Sequence, residues 1–449
     1  MKPKLSLGLS LLIALLLGLG LVQIRQHGAA WWLQLATAVL ILPLASELAI
    51  ALIQWLAVRR VPPRRLVRLD FANGIPAAAR TMVVVPTMLT SVDGVAELLE
   101  RLEVLALGNA DPHIHFAILS DFIDAATPNL PQDEAILAAA RAGIAALNAR
   151  AGDGRGTTFY LFHRERQWNA GENAWMGWER KRGKLEEWNR LLRGATDTSY
   201  SVQVGDMAVL PAVRYCLTLD SDTRLPRDTA KKLIGIIAHP LNRPHYDAAL
   251  GRVTHGYGIL QPRVSVTMAS AASSLFARLY AGHTGVDPYT TAVSDTYQDL
   301  FDEGIFTGKG LYDVDAFAAA LAGRAPENAI LSHDLFEGVY ARTALVTDIE
   351  VVDDYPASVL AHARRQHRWV RGDWQILCWL LPWAPARGGW RRNRLPLIAR
   401  WKIFDNLRRS ITPPATVLLL LVAWSFLPVN PVAWTLAVLV ALAFPLVPL

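Results

Sequence analysis

Two kinds of pattern alternate along the chain. At both ends, long apolar blocks carry almost no charge: Leu5–Ile24, Ala29–Val58 with Glu47 as its single charged residue, Pro413–Leu427 and Val432–Leu449. Each approaches the roughly 17 to 25 residues that a helix needs to cross a hydrocarbon core, so four membrane-spanning helices are expected. Between them the apolar runs are short. Thr81–Pro86 (TMVVVP), His115–Leu119 (HFAIL), Thr158–His163 (TFYLFH), Tyr215–Leu219 (YCLTL) and Ala344–Val352 read as buried strands. Val92–Leu107 repeats Val95, Leu98, Leu99, Leu102 and Leu105 at helical spacing, and Gln132–Ala151, Gly183–Leu192, Asp313–Ala322 and Val359–Leu381 also read as helices. Strands alternating with helices predict an α/β domain with a mostly parallel sheet covered on both faces.

In such sheets ligands sit beyond the carboxyl ends of the strands. Here those ends carry Asp121 and the Asp220-Ser221-Asp222 turn. Carboxylates one residue apart suit a hard divalent cation, Mg²⁺ or Mn²⁺, that carries a diphosphate. The same turn could instead be solvated, its aspartates capping Thr223 and the following helix.

Charge adds a topology. The chain has 449 residues and a formal charge of +6, and its arginines crowd beside the apolar blocks. Lys2 and Lys4 precede the first span and Arg59, Arg60, Arg64, Arg65 and Arg68 follow the second. The positive-inside rule then places the N-terminus and the middle domain in the cytoplasm. A cleaved signal peptide is the competing reading of the first span, but no small-residue cleavage pattern follows it. The basic excess suits lipid head groups, and no nucleic-acid signature accompanies it. Two isolated cysteines, Cys216 and Cys378, form neither a disulfide framework nor a zinc site.

The organisation expected is therefore two spans in 1–58, a cytoplasmic domain in 59–378, interfacial amphipathic helices rich in Trp and Arg in 379–411, and two further spans in 412–449. The last apolar block runs to Leu449, as in a piece of a longer chain.

In order, Asp121, Asp220 with Asp222, Asp334 and the run RQHRWVRGDW (365 to 374) resemble the membrane-embedded family-2-type inverting glycosyltransferases that include cellulose synthase. Ser332-His333-Asp334 stands where that family has Thr-Glu-Asp, and Arg365 stands where it has Gln three residues before Arg368. The strings FAILSDFIDA (116 to 125), RKRGKLEEWNRLLRG (180 to 194), LTLDSDTRLP (217 to 226), FDEGIFTGKGLYDVDAF (301 to 317), LSHDLFEG (331 to 338) and RRQHRWVRGDWQ (364 to 375) are more similar to the glycosyltransferase region of bacterial cyclic β-1,2-glucan synthases. That family is longer, with further membrane segments and a phosphorylase-like region.

The resemblance implies a GT-A-like nucleotide-sugar-binding domain flanked by transmembrane helices. It implies UDP-glucose as donor and a growing β-1,2-glucan as acceptor, with a related processive β-glucan transferase of another linkage, linear or cellulose-like, as the alternative. Asp121 would contact the uridine, or else is a turn or capping aspartate. Asp220 and Asp222 would hold Mg²⁺ or Mn²⁺ against the diphosphate. Lys184 would lie near the nucleotide, or else is a solvated helix residue. Asp334 would be the general base, with His333 either holding it or merely adjacent. Arg365 and Arg368 would grip the pyrophosphate and Trp369 would face an acceptor sugar, unless this helix instead lies on lipid.

Overall fold

The computed structural model describes residues 2–151, 158–281 and 294–443. The chain forms two compact units, one of Met1–Pro63, Ser294–Phe301 and Pro396–Leu449, the other of Arg64–Val293 and Asp302–Leu395. It opens with α1 (Lys2–Gln26) and α2 (Trp31–Arg60). The second unit then runs β1 (Thr81–Leu89), α3 (Val92–Gly108), β2 (Ile114–Phe122), α4 (Asp133–Ala151), β3 (Phe159–Arg164) and α5 (Arg180–Leu191). There follow β4 (Tyr200–Val204), β5 (Tyr215–Thr218), α6 (Thr229–Ala238), β6 (Ile259–Val266), β7 (Gly310–Asp313) and α7 (Val314–Leu321). The unit ends with α8 (Asp334–Ala341), β8 (Thr343–Asp353) and α9 (Val359–Gln375). The chain returns to the first unit with α10 (Leu397–Ser425) and α11 (Pro431–Ala443).

Eight strands make one sheet in the order β8-β6-β7-β5-β1-β2-β3-β4. Pairs β1–β2, β1–β5, β2–β3 and β6–β8 are parallel, whereas β6–β7, β7–β5 and β3–β4 are antiparallel. The α/β class and mostly parallel sheet expected from the pattern are present. The sequence pattern did not reveal β4, β6 and β7. The last has only four residues, and β6 carries Pro262 and Arg263 in its middle, so neither gives an apolar run.

The strand TMVVVP does not stop at Pro86. β5 pairs with β1 only as far as Val84 opposite Thr218. Past that point one side of β1 has no ladder to serve, so a residue without an N–H is tolerated there, and the strand continues to Leu89. Apolar side chains of one sheet face close against α3, α4 and α6, with Val83, Phe116, Ile118, Leu217, Leu233 and Ile237 fully buried or nearly so. This core fixes the strand ends that carry the chemistry.

Of the stretch expected as interfacial helices, 397–411 is helical and the part before it takes another form. Trp383–Ala386 and Gly389–Arg392 pair as an antiparallel hairpin, closed by Gly388 and Gly389 at positive φ, and helix resumes only at Leu397. The two glycines and Pro385 explain why the Trp and Arg pattern does not wind into a helix there.

In the first unit, Gly8–Gln26 and Trp31–Arg60 are the helices long and apolar enough, among the described residues, to cross a membrane. Leu11, Leu15, Leu19, Val39, Val417 and Val440 are each more than half exposed, an outward apolar surface that water does not favour. The lone acid of α2 is compensated: Arg408 lies 2.6 Å from Glu47 and 2.8 Å from Asp405. Residues 444–449 of the fourth expected span lie outside the described residues.

Candidate active site

Asp121 is neither a cap nor a turn residue. It lies inside β2, opposite Met88 of β1, with 5% of its surface exposed. Arg164, at the end of β3, donates from Nε to Asp121 Oδ1 at 2.7 Å and from Nη2 to Oδ2 at 2.9 Å. Its Nη1 reaches Glu187 Oε2 at 2.8 Å. Ser199 completes Glu187 with its backbone N–H at 2.8 Å and its hydroxyl at 2.6 Å. Lys184 is also not solvated: it is 3% exposed, and its Nζ lies 3.0 Å from Asp121 Oδ2 and donates to the Thr87 carbonyl at 2.5 Å.

Burial acts to raise the Asp121 pKa, but Lys184 and Arg164 outweigh it and hold the carboxyl below its usual range. Burial pulls Lys184 down to about 8, against the attraction of Asp121. The close fit leaves no room at Gly177, where a Cβ would stand 2.5 Å from Asp121 Cγ. Asp121 is thus a charge locked into a buried network at the carboxyl edge of the sheet.

Asp220 follows β5 at the same edge. Lys181 Nζ donates to its Oδ1 at 2.6 Å, and Lys309 Nζ lies 2.7 Å from its Oδ2. Lys309 also reaches Asp353 Oδ2 at 2.9 Å, and Thr223 donates its hydroxyl to Asp353 Oδ1 at 2.7 Å. Topology explains the convergence. β7 runs antiparallel to β5 with Gly310 opposite Thr218, so Lys309 enters the sheet beside the acidic turn. The parallel β8 brings Asp353 to that edge, and the main chains of Arg224 and Val352 bridge turn and strand. Burial would raise the Asp220 pKa, yet Lys181 and Lys309 overcome it and drive the carboxyl well below its ordinary value.

Asp222 is open to solvent at its surface, but partial burial and then the neighbouring charges of Asp353 and Asp220 push its pKa up. Asp222 and Asp353 are the hard oxygen donors that could hold a divalent cation here. Both Asp220 oxygens are paired with Lys181 and Lys309, and among the described residues the ligand atoms that gather within 4.8 Å are instead those of His333, Asp334 and Glu337. The turn Asp220 to Leu225 and Asp354 also wall a cavity of about 560 Å³ against Glu97 and Arg101 of α3. Arg101 fixes the turn by donating to the Ser221 carbonyl at 3.1 Å.

Asp334 opens α8 and shares this neighbourhood. Lys181, which holds Asp220, also donates to the Gly308 carbonyl at 3.1 Å. Gly308 has φ +86°, and a Cβ on it would lie 2.8 Å from both carboxylate oxygens of Asp334. Burial lowers the Lys181 pKa, but the joint attraction of Asp220 and Asp334 raises it overall. One ammonium group therefore stands between the acidic turn and Asp334.

On α9, Arg365 lies over the rings of Tyr355 and Trp369, with its Cζ 5.6 and 4.8 Å from their centroids. Burial lowers its pKa, and it feels the charges of Tyr355, Asp353 and Asp222, which ties it to the acidic turn. Arg368 is exposed one turn away and acts on Arg365 by repulsion. Trp369 is half-buried, with one face covered by Arg365. α9 is clamped to the loop before Asp334: a Cβ on Gly372 would overlap Ser332, and Leu331 donates its N–H to Gln375 Oε1 at 2.6 Å.

Sequence reasoning missed Arg164, Lys181, Glu187, Lys309 and Asp353. Asp353 carried the same signal as Asp220, an acid at the end of an apolar run. Lys309 stands between two glycines in FTGKG and carried no sequence signal of its own. Arg164 and Glu187 gave no local signal, because their role depends on which strands become neighbours.

A mostly parallel α/β sheet with acids and lysines gathered at its carboxyl edge, in a chain with two apolar N-terminal helices, has the GT-A-like architecture of membrane-associated glycosyltransferases. No family model matches the chain. Over 402 residues, 89% of its length, the chain is 48% identical to the cyclic beta-(1,2)-glucan synthase NdvB of Rhizobium meliloti (strain 1021). The chain is therefore homologous to the glycosyltransferase region of that synthase, as the motifs implied. It spans 14% of the length of that relative.

Proposed function

We propose that the chain is a membrane-bound inverting glucosyltransferase that moves glucose from UDP-glucose to a growing β-1,2-glucan. The observation that carries this reading is the convergence of the Asp220–Asp222 turn, Lys181 and Lys309 beside Asp334 in a homologue of a cyclic glucan synthase. Asp222 and Asp353 would hold Mg²⁺ or Mn²⁺, which when bound supplies Lewis-acid compensation of diphosphate charge. Lys181 and Lys309 add fixed positive charge at the same place, and Arg365 with Arg368 offers paired donors to phosphate oxygens.

Asp334 is the group we assign as general base. It takes the proton of an acceptor hydroxyl while that oxygen bonds to C1 of the donor glucose. The bond from C1 to the diphosphate oxygen breaks, its electron pair leaves with UDP, and the configuration at C1 inverts. Asp121 with Lys184 lies at the strand edge where the uridine would rest. Trp369 lends apolar surface to an acceptor sugar. The apolar helices anchor the chain in a bacterial inner membrane with this unit on the cytoplasmic side, the arrangement the basic flanks favour.

The test is incubation of membranes carrying the chain with labelled UDP-glucose and Mn²⁺, followed by methylation analysis of the product. Glucose linked through O2 supports the reading. A polymer of another linkage supports the linear or cellulose-like alternative, and absence of transfer with intact donor binding contradicts both.

A further inference from the structure

His333 is wedged between two carboxylates. It is 6% exposed, and its Nδ1 lies 2.8 Å from Glu337 Oε1 and 3.6 Å from Asp334 Oδ1. Glu337 is 2% exposed. A carboxylate that deep is costly unless a partner meets it, and the imidazole is that partner. The main chain reinforces the contact: the Glu337 N–H donates to the His333 carbonyl at 2.9 Å. The donor atoms of all three residues fall within 4.8 Å of one another.

Charges from the surrounding elements are consistent with this arrangement. Burial disfavours a protonated His333, but Glu337 and Asp334 outweigh it and raise its pKa, against repulsion from Lys181 of α5. From β7, Tyr312 feels the Glu337 charge. The backbone on either side is fixed as well, by Gly308 against Asp334 and by Gly372 against Ser332.

We propose that His333 and Glu337 are positioning residues for Asp334. Glu337 holds the imidazole by the ion pair at Nδ1. The ring so fixed stands with its Nδ1 edge 3.6 Å from Asp334 Oδ1, a contact that limits where the carboxylate can lie and not a hydrogen bond, and Oδ2 is left to meet the acceptor hydroxyl. This rests on the reading of Asp334 as the base. The pair touches neither donor nor acceptor, so its loss acts on turnover through the geometry of Asp334. A small misplacement of a base can cost about 100-fold in rate.

The experiment uses the full chain in membranes with UDP-glucose as donor, comparing His333→Ala, His333→Asn, Glu337→Ala, Glu337→Gln and Asp334→Asn. His333→Ala is expected to lower turnover about 100-fold with donor KM unchanged. His333→Asn, whose amide N–H can occupy the place of Nδ1, recovers a large part of that loss. Glu337→Gln, still an acceptor, keeps more turnover than Glu337→Ala. A fully active His333→Ala beside an inactive Asp334→Asn overturns the positioning role alone. Equal losses in His333→Ala and His333→Asn, accompanied by lost donor binding, also overturn it, as they indicate a purely structural residue. An active Asp334→Asn overturns the base assignment itself.

Discussion

Arg164 meets Asp121 as a fork meets a carboxylate, Nε to Oδ1 at 2.7 Å and Nη2 to Oδ2 at 2.9 Å, with the guanidinium itself fully buried. The same guanidinium serves Glu187, so removing it leaves buried Asp121 with Lys184 alone and buried Glu187 with only the two donors of Ser199. Breaking a buried pair by deleting one partner costs about 3–5 kcal/mol. Arg164→Met is expected to destabilise the α/β unit by about that amount in denaturant unfolding followed by tryptophan fluorescence. Adding Asp121→Asn to it should cost less than the two single changes summed, because the stranded charge is then gone. Strict additivity would show that the pair carries no coupling.

Gly308 must lack a side chain for two reasons, its positive φ and the carboxylate of Asp334 at 2.8 Å from where a Cβ would stand. Gly308→Ala should therefore displace Asp334 and lower turnover at least about 10-fold, with a loss of roughly 1 kcal/mol or more in stability. Steady-state kinetics beside thermal unfolding separates the two effects. Unchanged kinetics would place Asp334 away from the reacting atoms.

Asp222 is exposed and contributes little to packing, so Asp222→Asn should leave the unfolding midpoint within about 0.5 kcal/mol of the parent. Its effect should fall on the cation: the Mn²⁺ concentration for half-maximal transfer is expected to rise at least about 10-fold. A metal titration of transfer activity measures this, and an unshifted titration would remove Asp222 from the cation site.

His163 makes stability depend on acid. It is buried on β3 with its Nδ1 2.9 Å from Ser120 Oγ, and burial, joined by Lys184 and Arg166 against the pull of Asp121 and Asp133, brings its pKa down from 6.5 to about 4. The unfolded chain then binds the proton more readily between those values. The contribution is present in full above pH 6.5 and is lost as pH falls through about 4. It amounts to something on the order of 3 kcal/mol. His163→Gln should flatten the fall in unfolding free energy across that window, and an unchanged slope would assign acid sensitivity to other groups.

The candidate site was half legible in the chain. Asp220, Asp222 and Asp334 could be found because each sits at a local break in pattern, a strand end or a helix start. Asp121 could be located but not interpreted: its partner Arg164 is distant in sequence and becomes a neighbour only because β2 and β3 pair in parallel. Lys181 and Lys309 were hidden for a similar reason. Charged residues in a helix and a Gly-flanked turn look solvated until the fold meets them at one aspartate, Lys309 through the antiparallel return of β7 and Lys181 from α5. The hairpin at 383–392 was misread because its Trp and Arg content outweighed its glycines. The apolar helices were the most legible elements, since twenty uncharged residues admit few other structures.

The central claim is that Asp334 removes a proton from the acceptor beside a donor held by the Asp220–Asp222 turn. It is tested most directly by measuring UDP release from UDP-glucose, together with UDP binding, for the parent chain and Asp334→Asn in the same membranes. The account predicts unchanged UDP binding and a loss of turnover of about 10² to 10⁴ in the variant. Undiminished UDP release by Asp334→Asn, or loss of UDP binding in step with turnover, would contradict it.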